Sequence, residues 1–166
     1  MKEKINVFDY AELITKALKP GILLNTNGEK FNSMVIGWGH LGILWSQETF
    51  AVYVRQSRYT KAQMDKTREF TISVPLEEAD EEITRVMGTM SGRDINKADY
   101  VHLEDPDVNH TPGVREYPLT IECEVIYSQD QELDLLDEKI RERAYKDPKD
   151  YHTLYVGRIV SAYIIR

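Results

Sequence analysis

The sequence predicts a mainly β fold, a β-barrel with short helices, from three observations. Six runs rich in β-branched and aromatic residues are spread along the 166 residues. The helical segments between them are short and do not alternate regularly with the strands, which argues against a doubly wound sheet. The last run is apolar on both faces, with Tyr155, Ile159 and Tyr163 on one of them, which indicates a central barrel strand or a strand at a subunit interface.

Turn residues separate the six predicted strands. Asn27 and Gly28 form a pair that suits a tight hairpin turn between the first two strands. Pro75 ends the fourth strand because proline cannot donate to a central sheet ladder. The first run begins at Ile22, and the others span residues 31–38, 50–54, 70–74, 119–129 and 151–165.

Helix start signals mark the segments between these strands. Asp9 and Glu12 read as a capping box at the start of a first short helix. Ser57 is the predicted N-cap of a second helix that runs to Arg68. Acidic residues suit the positive N-terminus of a third helix, which ends at Met87. The remaining segments are a polar loop over 91–117 and an amphipathic stretch over 133–145.

Composition predicts one globular domain over residues 1–166 and restricts its partners. Twenty-one Lys and Arg against 28 Asp and Glu give a net charge of −7, so no global field attracts nucleic acid or an anionic membrane. No apolar run reaches the ~20 residues of a membrane span or forms a signal-peptide core, so a cytoplasmic location is expected. An anionic small ligand would need a local cationic pocket.

The single cysteine rules out an intrachain disulfide and a cysteine-based metal cluster. Cys123 shares the apolar face of a predicted strand with Leu119, Ile121 and Val125. Its sequence neighbours are glutamates rather than the cations that activate a thiol, so we expect a buried, inert side chain.

The segment from Gly37 to Gly42 matches the spacing G-x-G-x-x-G of dinucleotide-binding loops. That motif must follow a strand and open a helix, whereas this segment leads into another strand-like run. The Rossmann interpretation is therefore rejected.

A strand over 32–39 would instead place small side chains on one face. Ser33, Val35, Gly37 and Gly39 alternate with Met34 and bulkier residues. Glycines in a strand mark close approach of a ligand or of another backbone, so a flat ring could lie on this face. A bulge or a barrel corner explains the same residues equally well.

A second candidate site lies where a strand passes into a helix, over residues 55–60. A helix N-terminus exposes unpaired N–H groups, and arginines and hydroxyls there add charge-assisted hydrogen bonds to an anion. The alternative is an exposed strand end with ordinary surface arginines. The segment comprises Arg55, Gln56, Ser57, Arg58, Tyr59 and Thr60.

Two weaker signals follow. Arg93 and Lys97 lie in a polar loop with Gly92 that could close over an anionic ligand, although such loops are also common without one. His152 stands at a strand start, where a lone histidine is more often structural than catalytic. No second ligand stands at zinc-binding spacing, and no elbow motif supports Ser/His/Asp catalysis.

Taken in order, these segments make the chain resemble the flavin reductase-like family of FMN-binding split β-barrels. The resemblance runs from about Pro20 to the C-terminal strand, and segment 55–60 is its most specific part. It rests on residues 32–38, 55–60, 91–94 with Lys97, and 152–157.

The resemblance implies a six-stranded Greek-key barrel that forms a homodimer with FMN near the subunit interface. Such a protein would use NADH or NADPH as a transient hydride donor, and it could pass electrons to a redox partner protein or a monooxygenase component. The ring would lie along Asn32, Ser33, Met34 and Val35, close to His152. The phosphate would be held by Arg55, Ser57, Arg58, Tyr59 and Thr60, with Arg93 and Lys97 approaching from the closing loop.

Three functional hypotheses remain open at this point. The first is an NAD(P)H-dependent flavin reductase that transfers hydride through non-covalently bound FMN. The second is a flavoredoxin-like FMN electron carrier without nicotinamide-dependent activity. The third is a structural barrel, or a barrel for another ligand.

Overall fold

The computed structural model describes all residues, 1–166, and is mainly β. Its strands are β1 (Lys2–Lys4), β2 (Ile22–Asn27), β3 (Phe31–Ile36), β4 (Gly39–Leu44), β5 (Gln47–Arg55), β6 (Glu69–Val74), β7 (Leu103–Glu104), β8 (Gly113–Val114), β9 (Leu119–Asp130) and β10 (His152–Ile165). The helices are α1 (Ala11–Leu18), α2 (Tyr59–Thr67), α3 (Glu81–Thr89) and α4 (Glu138–Ala144), and 3₁₀ turns cover Val7–Tyr10, Lys97–Tyr100 and Leu133–Leu135.

One antiparallel sheet carries the fold, in the order β3-β2-β6-β9-β10-β5-β4, with β1 added to β10. The neighbour pairs β2–β6, β6–β9 and β10–β5 join strands that are not consecutive in the chain, as a Greek key requires. All six predicted strands are present, and the mainly β split-barrel fold is confirmed. The structure adds β1 and β4 to this sheet, and β7 and β8 form a separate two-stranded sheet.

The barrel is split between β3 and β4, the two end strands of this sheet. These strands are consecutive in the sequence, so the chain crosses the opening over Gly37 and Trp38. The predicted single strand over 31–38 is therefore wrong beyond Ile36. Gly39 starts a new strand against β5, where a Cβ atom would lie 2.7 Å from the Ala51 carbonyl oxygen.

Strand β10 is central, as predicted, because it pairs with β9, β5 and β1. An irregularity in its register with β9, between Ile159 and Ser161, leaves one extra residue on β10 and shifts the alternation of its faces. Tyr155 packs into the main core. Tyr163 instead lies under the Lys2 ammonium, 4.6 Å from its ring centre. The predicted common face for these two tyrosines is therefore wrong.

Buried apolar side chains from β2, β5, β6, β9 and β10 form the main core. Cys123 lies in this core with no exposed surface, and burial together with the neighbouring Glu122 raises its thiol pKa well above the ordinary value. The expectation of an inert, buried cysteine is confirmed.

Two predicted helix caps are wrong. Asn6 rather than Asp9 caps the first helical segment, because its side chain accepts from the Phe8 N–H at 3.1 Å. The second helix has Arg58 rather than Ser57 at its N-cap position, and no side chain caps it. Asp80 does cap α3, accepting from the Ile83 N–H, so the acidic start of the third helix is confirmed.

The hairpin between β2 and β3 is longer than predicted. Pairing continues to Asn27 opposite Phe31, which leaves a connection of three residues, 28–30. Asn27 is held in the sheet because its side-chain amide donates to the His110 carbonyl oxygen at 2.9 Å. The Asn-Gly pair therefore marks the turn but does not form the two-residue type.

A buried carboxylate anchors the polar loop that the sequence left largely unassigned. Glu122 on β9 has no exposed surface and accepts backbone N–H bonds from Asp107, Val108 and Asn109 at 2.6, 2.8 and 2.9 Å. Three charge-assisted bonds compensate the loss of water around this carboxylate. The loop is thereby fixed against the sheet.

The longest helices, α2 and α3, have nine residues each, and no helix is both long enough and apolar enough to cross a membrane.

Candidate functional site

A cavity of about 330 Å³ opens where β5 turns into α2. It also receives side chains from β3, from the loop after α3 and from the segment before β10. Nine of the twelve residues predicted as ligand-binding line it: Asn32, Met34, Arg55, Ser57, Arg58, Tyr59, Thr60, Arg93 and Lys97.

Sheet register brings the distant segments together at this corner. Arg55 at the end of β5 is the direct antiparallel partner of His152 at the start of β10. Helix α2 starts four residues after Arg55, so its uncapped N-terminus faces the same corner with free N–H groups. The predicted strand-to-helix site therefore has the expected local geometry.

The cavity is strongly cationic. Its lining includes Arg55, Arg58, Arg93 and Lys97, and none of the four has a carboxylate partner within ion-pair distance. The Arg58 side chain makes no hydrogen bond at all and is exposed. Unpaired cations around a concave pocket are suited to an anionic ligand.

Lys97 is the most unusual of these cations because it is buried, with 3% of its surface exposed. Its Nζ donates to the backbone carbonyl oxygens of Ser33 and Met87. Burial, assisted by the positive charge of Arg58, lowers the pKa of Lys97 to about 8. An anion in the cavity would favour its charged form.

Arg55 and Ser57 are engaged by the segment that precedes β10. Arg55 donates through Nη1 to the Asp150 carbonyl oxygen at 3.0 Å and through Nη2 to the Ala144 carbonyl oxygen at 2.9 Å. The Asp150 carboxylate accepts from both the backbone N–H and the hydroxyl of Ser57, each at 2.9 Å. These hydroxyl and amide donors explain why Ser57 does not act as the helix cap.

A buried chain of polar side chains forms the floor of the cavity. Asn32 donates through its amide to the Thr60 hydroxyl at 2.8 Å, while its own Oδ1 is buried without a partner. Thr26 on β2 donates to Gln63 at 2.6 Å in the same layer. An unpartnered acceptor in a cavity wall requires a donor from a ligand or solvent.

Gly92 covers this floor at very close range. A Cβ atom on Gly92 would lie 2.2 Å from Asn32 Oδ1 and 2.8 Å from the Tyr59 ring. Arg93 follows it, with its guanidinium 5.3 Å from the Tyr59 ring centre and a hydrogen bond to the Ser57 carbonyl oxygen. The loop after α3 therefore lies over this end of the cavity.

A second cavity, of about 160 Å³, continues from the first. Both cavities share Met34, Arg55 and Arg58 in their linings. The second one follows the chain across the barrel opening, and five of its nine lining residues are hydrophobic. Its other lining residues are Val35, Ile36, Gly37, Trp38, Tyr53 and His152.

His152 forms one wall of this second cavity together with Trp38, whose ring centre is 4.9 Å away. The Tyr145 hydroxyl lies 2.7 Å from His152 Nδ1. Burial and the charge of Arg55 lower the pKa of His152 to about 4, so its imidazole is neutral at physiological pH. A neutral ring beside an indole can pack against a flat ligand and offer one further nitrogen for hydrogen bonding.

Ser33 is the one predicted residue that lines neither cavity. Strand β3 turns Asn32 and Met34 toward the cavity and buries Ser33 on its other face. Val35 also points that way, packing 3.4 Å from the Cβ position of Gly88 on α3, and reaches only the edge of the second cavity. The predicted small-residue face is therefore divided, because Ser33 is buried away from both cavities while Val35 and Gly37 line the second one.

Sequence reasoning missed three contributors to the site. Asp150 enters the first cavity, Trp38 walls the second, and Tyr145 positions His152. Trp38 carried a usable signal, because an exposed tryptophan beside two glycines is unusual on a surface. Asp150 and Tyr145 lie in a polar segment with no such signal.

The comparisons with known proteins agree with this geometry. The model of the family described as flavin reductase like domain matches residues 26–166. Among curated proteins, none matches the chain.

Solved structures show the same fold at low sequence identity. Flavoredoxin from Methanosarcina acetivorans is 21% identical with a TM-score of 0.70, covering 88% of this chain and 68% of its own. An FMN-binding domain of a flavin reductases-like enzyme from Shewanella baltica is 16% identical with a TM-score of 0.71, covering 99% and 77%. The NADH:FAD oxidoreductase of Streptomyces globisporus is 13% identical with a TM-score of 0.68, covering 87% and 75%.

Since the family model spans most of the sequence, from the second strand to the last residue, the chain belongs to the flavin reductase-like domain family.

Proposed function

We propose that the protein binds FMN non-covalently and is an NAD(P)H-dependent flavin reductase. One observation carries the proposal: a cationic cavity without internal ion pairs continues into an apolar cavity at the barrel opening. FMN has the matching shape, a dianionic phosphate joined by a hydroxylated chain to a flat ring. The polar floor of the first cavity, with Asn32 and Thr60, would face the hydroxylated ribityl chain.

The phosphate would be held by Arg58, Thr60, Arg93 and Lys97, whose positive charges and hydroxyl favour a dianion. Arg55, Ser57 and Tyr59 complete that end. The apolar cavity would receive the ring, against Met34, Val35, Trp38 and His152.

Bound FMN supplies two-electron hydride chemistry, and the polypeptide supplies orientation and access. His152 contributes a neutral imidazole, because its pKa of about 4 keeps it unprotonated at pH 7. Trp38 and His152 would together flank the ring on one side of the cavity. The transient donor, NADH or NADPH, would approach through the barrel opening.

Binding and turnover test the two parts of the proposal separately. FMN added to purified protein should shift its visible spectrum and lose fluorescence, and NADH or NADPH should then be oxidised faster than by free FMN. Binding without nicotinamide oxidation would favour the flavoredoxin-like electron carrier. Absence of FMN binding would refute the flavin proposal and favour a barrel for another ligand.

Two variants locate the phosphate end. Arg58→Ala and Thr60→Ala should each weaken FMN binding by about 1–3 kcal/mol, the cost of a lost charge-assisted hydrogen bond. Arg85→Ala is the matched control, because Arg85 on α3 is exposed and lies outside the cavity. Unchanged affinity in both pocket variants would refute the assignment.

A homodimer is part of the proposal. Exposed Trp38, Ile43 and Trp45 lie on or beside the edge strand β4. An apolar groove of about 230 Å³ next to them shares Tyr53 with the ring cavity and is lined by Leu133, Leu136 and Leu154. A second copy on this face would cover the apolar surface beside the flavin. Light scattering of the purified protein tests the stoichiometry, and Ile43→Glu should produce monomers.

The proposed location is the cytoplasm, where NADH and NADPH are available. A redox partner protein or a monooxygenase component would receive the electrons. Fractionation of cells and co-purification from them test these two points.

A further inference from the structure

Asp150 is the one acidic residue that lines the cationic cavity. Its carboxylate accepts from the Ser57 backbone N–H through Oδ1 and from the Ser57 hydroxyl through Oδ2, both at 2.9 Å. Backbone N–H and hydroxyl donors of this kind are the groups with which protein corners bind phosphate. An acid of the protein itself therefore occupies one end of the anion pocket.

No cation neutralises this carboxylate directly. Arg55 lies next to it but donates to the main-chain carbonyl oxygen of Asp150, at 3.0 Å. Asp150 forms no ion pair, although four cations line the same cavity. Its negative charge consequently acts on whatever anion enters.

We propose that Asp150 is a specificity-determining residue that competes with the ligand's phosphate for Ser57 and weakens the binding of dianions. This inference rests on the proposed function, in which the pocket takes the phosphate of FMN. A bound phosphate either displaces the carboxylate from Ser57 or lies beside it, and both cost binding free energy through like-charge repulsion. The effect applies to FMN and not to riboflavin, which has the same ring without the phosphate.

The consequence is that bound FMN exchanges with FMN in solution. A pocket with four cations and no internal acid would retain a dianion tightly, whereas the Asp150 carboxylate offers Ser57 a replacement partner when the ligand leaves. Since most affinity differences arise in the dissociation rate, Asp150 acts mainly by speeding release.

Asp150→Asn is the diagnostic variant because it removes the charge and keeps a side-chain oxygen that can accept from Ser57. Wild type and variant are titrated with FMN and with riboflavin, and quenching of flavin fluorescence gives the affinities. We expect FMN to bind about tenfold more tightly to the variant, with riboflavin changed less than about twofold. Asp147→Asn is the control, since Asp147 lies in the same segment but outside the cavity.

Equal or weaker FMN binding in Asp150→Asn would overturn the inference, as would an equal gain for riboflavin or for the Asp147 variant. Melting temperatures in inorganic phosphate give a readout independent of flavin. If neither protein binds FMN but phosphate stabilises Asp150→Asn more than wild type, the proposed function fails and the role of Asp150 stands. If FMN binds and both variants behave alike, the proposed function stands and the role of Asp150 fails.

Discussion

Replacing Lys97 with methionine tests how much the burial of its positive charge lowers the free energy of unfolding. Lys97 is buried with no carboxylate partner, and burial lowers its pKa from 10.5 to about 8. Each pKa unit corresponds to 1.36 kcal/mol between the two protonation states. Relative to the unfolded chain, the folded protein therefore disfavours the charged form of Lys97 by about 3 kcal/mol.

The sign of the pH dependence follows from the two pKa values. Below pH 8 Lys97 is charged in both the folded and unfolded states, so the whole cost is present. Between about pH 8 and 10.5 it is neutral when folded and charged when unfolded. The unfolded state then binds more protons, so the free energy of unfolding rises with pH. From pH 7.5 to 9.5 this contribution amounts to about 2 kcal/mol.

Urea unfolding followed by tryptophan fluorescence measures the effect at these two pH values. The difference in unfolding free energy between wild type and Lys97→Met should shift by about 2 kcal/mol in favour of wild type as the pH rises. Other titrating groups cancel in this difference. Lys66→Met is the control, because the Lys66 side chain is 69% exposed. A difference that stays constant within about 0.5 kcal/mol would refute the reasoning.

Three further predictions follow from named contacts. FMN affinity, measured by fluorescence titration, should fall as the pH rises through about 8, because the free protein loses the Lys97 proton there. In Lys97→Met this pH dependence of the affinity should vanish. Gly92→Ala should weaken FMN binding about tenfold, measured by calorimetry, with a melting temperature near that of wild type. The alanine Cβ would meet Asn32 Oδ1 at 2.2 Å and displace the loop after α3. Glu122→Gln should lower the unfolding free energy by about 2–3 kcal/mol, because an amide replaces a carboxylate that accepts three N–H bonds from residues 107–109. An unchanged midpoint of urea unfolding would contradict this prediction.

Local patterns were sufficient to predict most of the strands. The runs at 50–54 and 119–129 combine strand propensity with alternation, and they appear in the structure as β5 and β9. Strand β4 was missed because its residues are half-buried or exposed, so no alternation between apolar and polar positions marks it. The break at Gly37 was left open, because a barrel corner explained the glycines as well as a continuous strand did; it depends on Gly39 pairing with β5 across the barrel opening.

The candidate site was predictable where residues suited to the proposed phosphate site stand close together in sequence. Residues 55–60 contain the charges and hydroxyls of an anion site, and the structure gathers Arg93 and Lys97 around them. The orientation of β3 was not predictable, because alternation shows which residues share a face but not which face the ligand cavity meets. Asp150 escaped prediction for a related reason: its contact with Ser57 spans 93 residues and arises from the pairing of β5 with β10.

The acidic surface and the cationic pocket act at different ranges, so they do not oppose each other at contact. Exposed charges further than about 8–10 Å from a ligand are largely screened at physiological ionic strength. Arg58 and Lys97 line the cavity itself, and the burial of Lys97 keeps solvent from screening it. The net charge of −7 would therefore have little effect on a dianion in the pocket, where Arg58 and Lys97 act at close range. Asp150 is the exception. It places a negative charge inside the cavity, close enough to a bound ligand to affect which ligand binds.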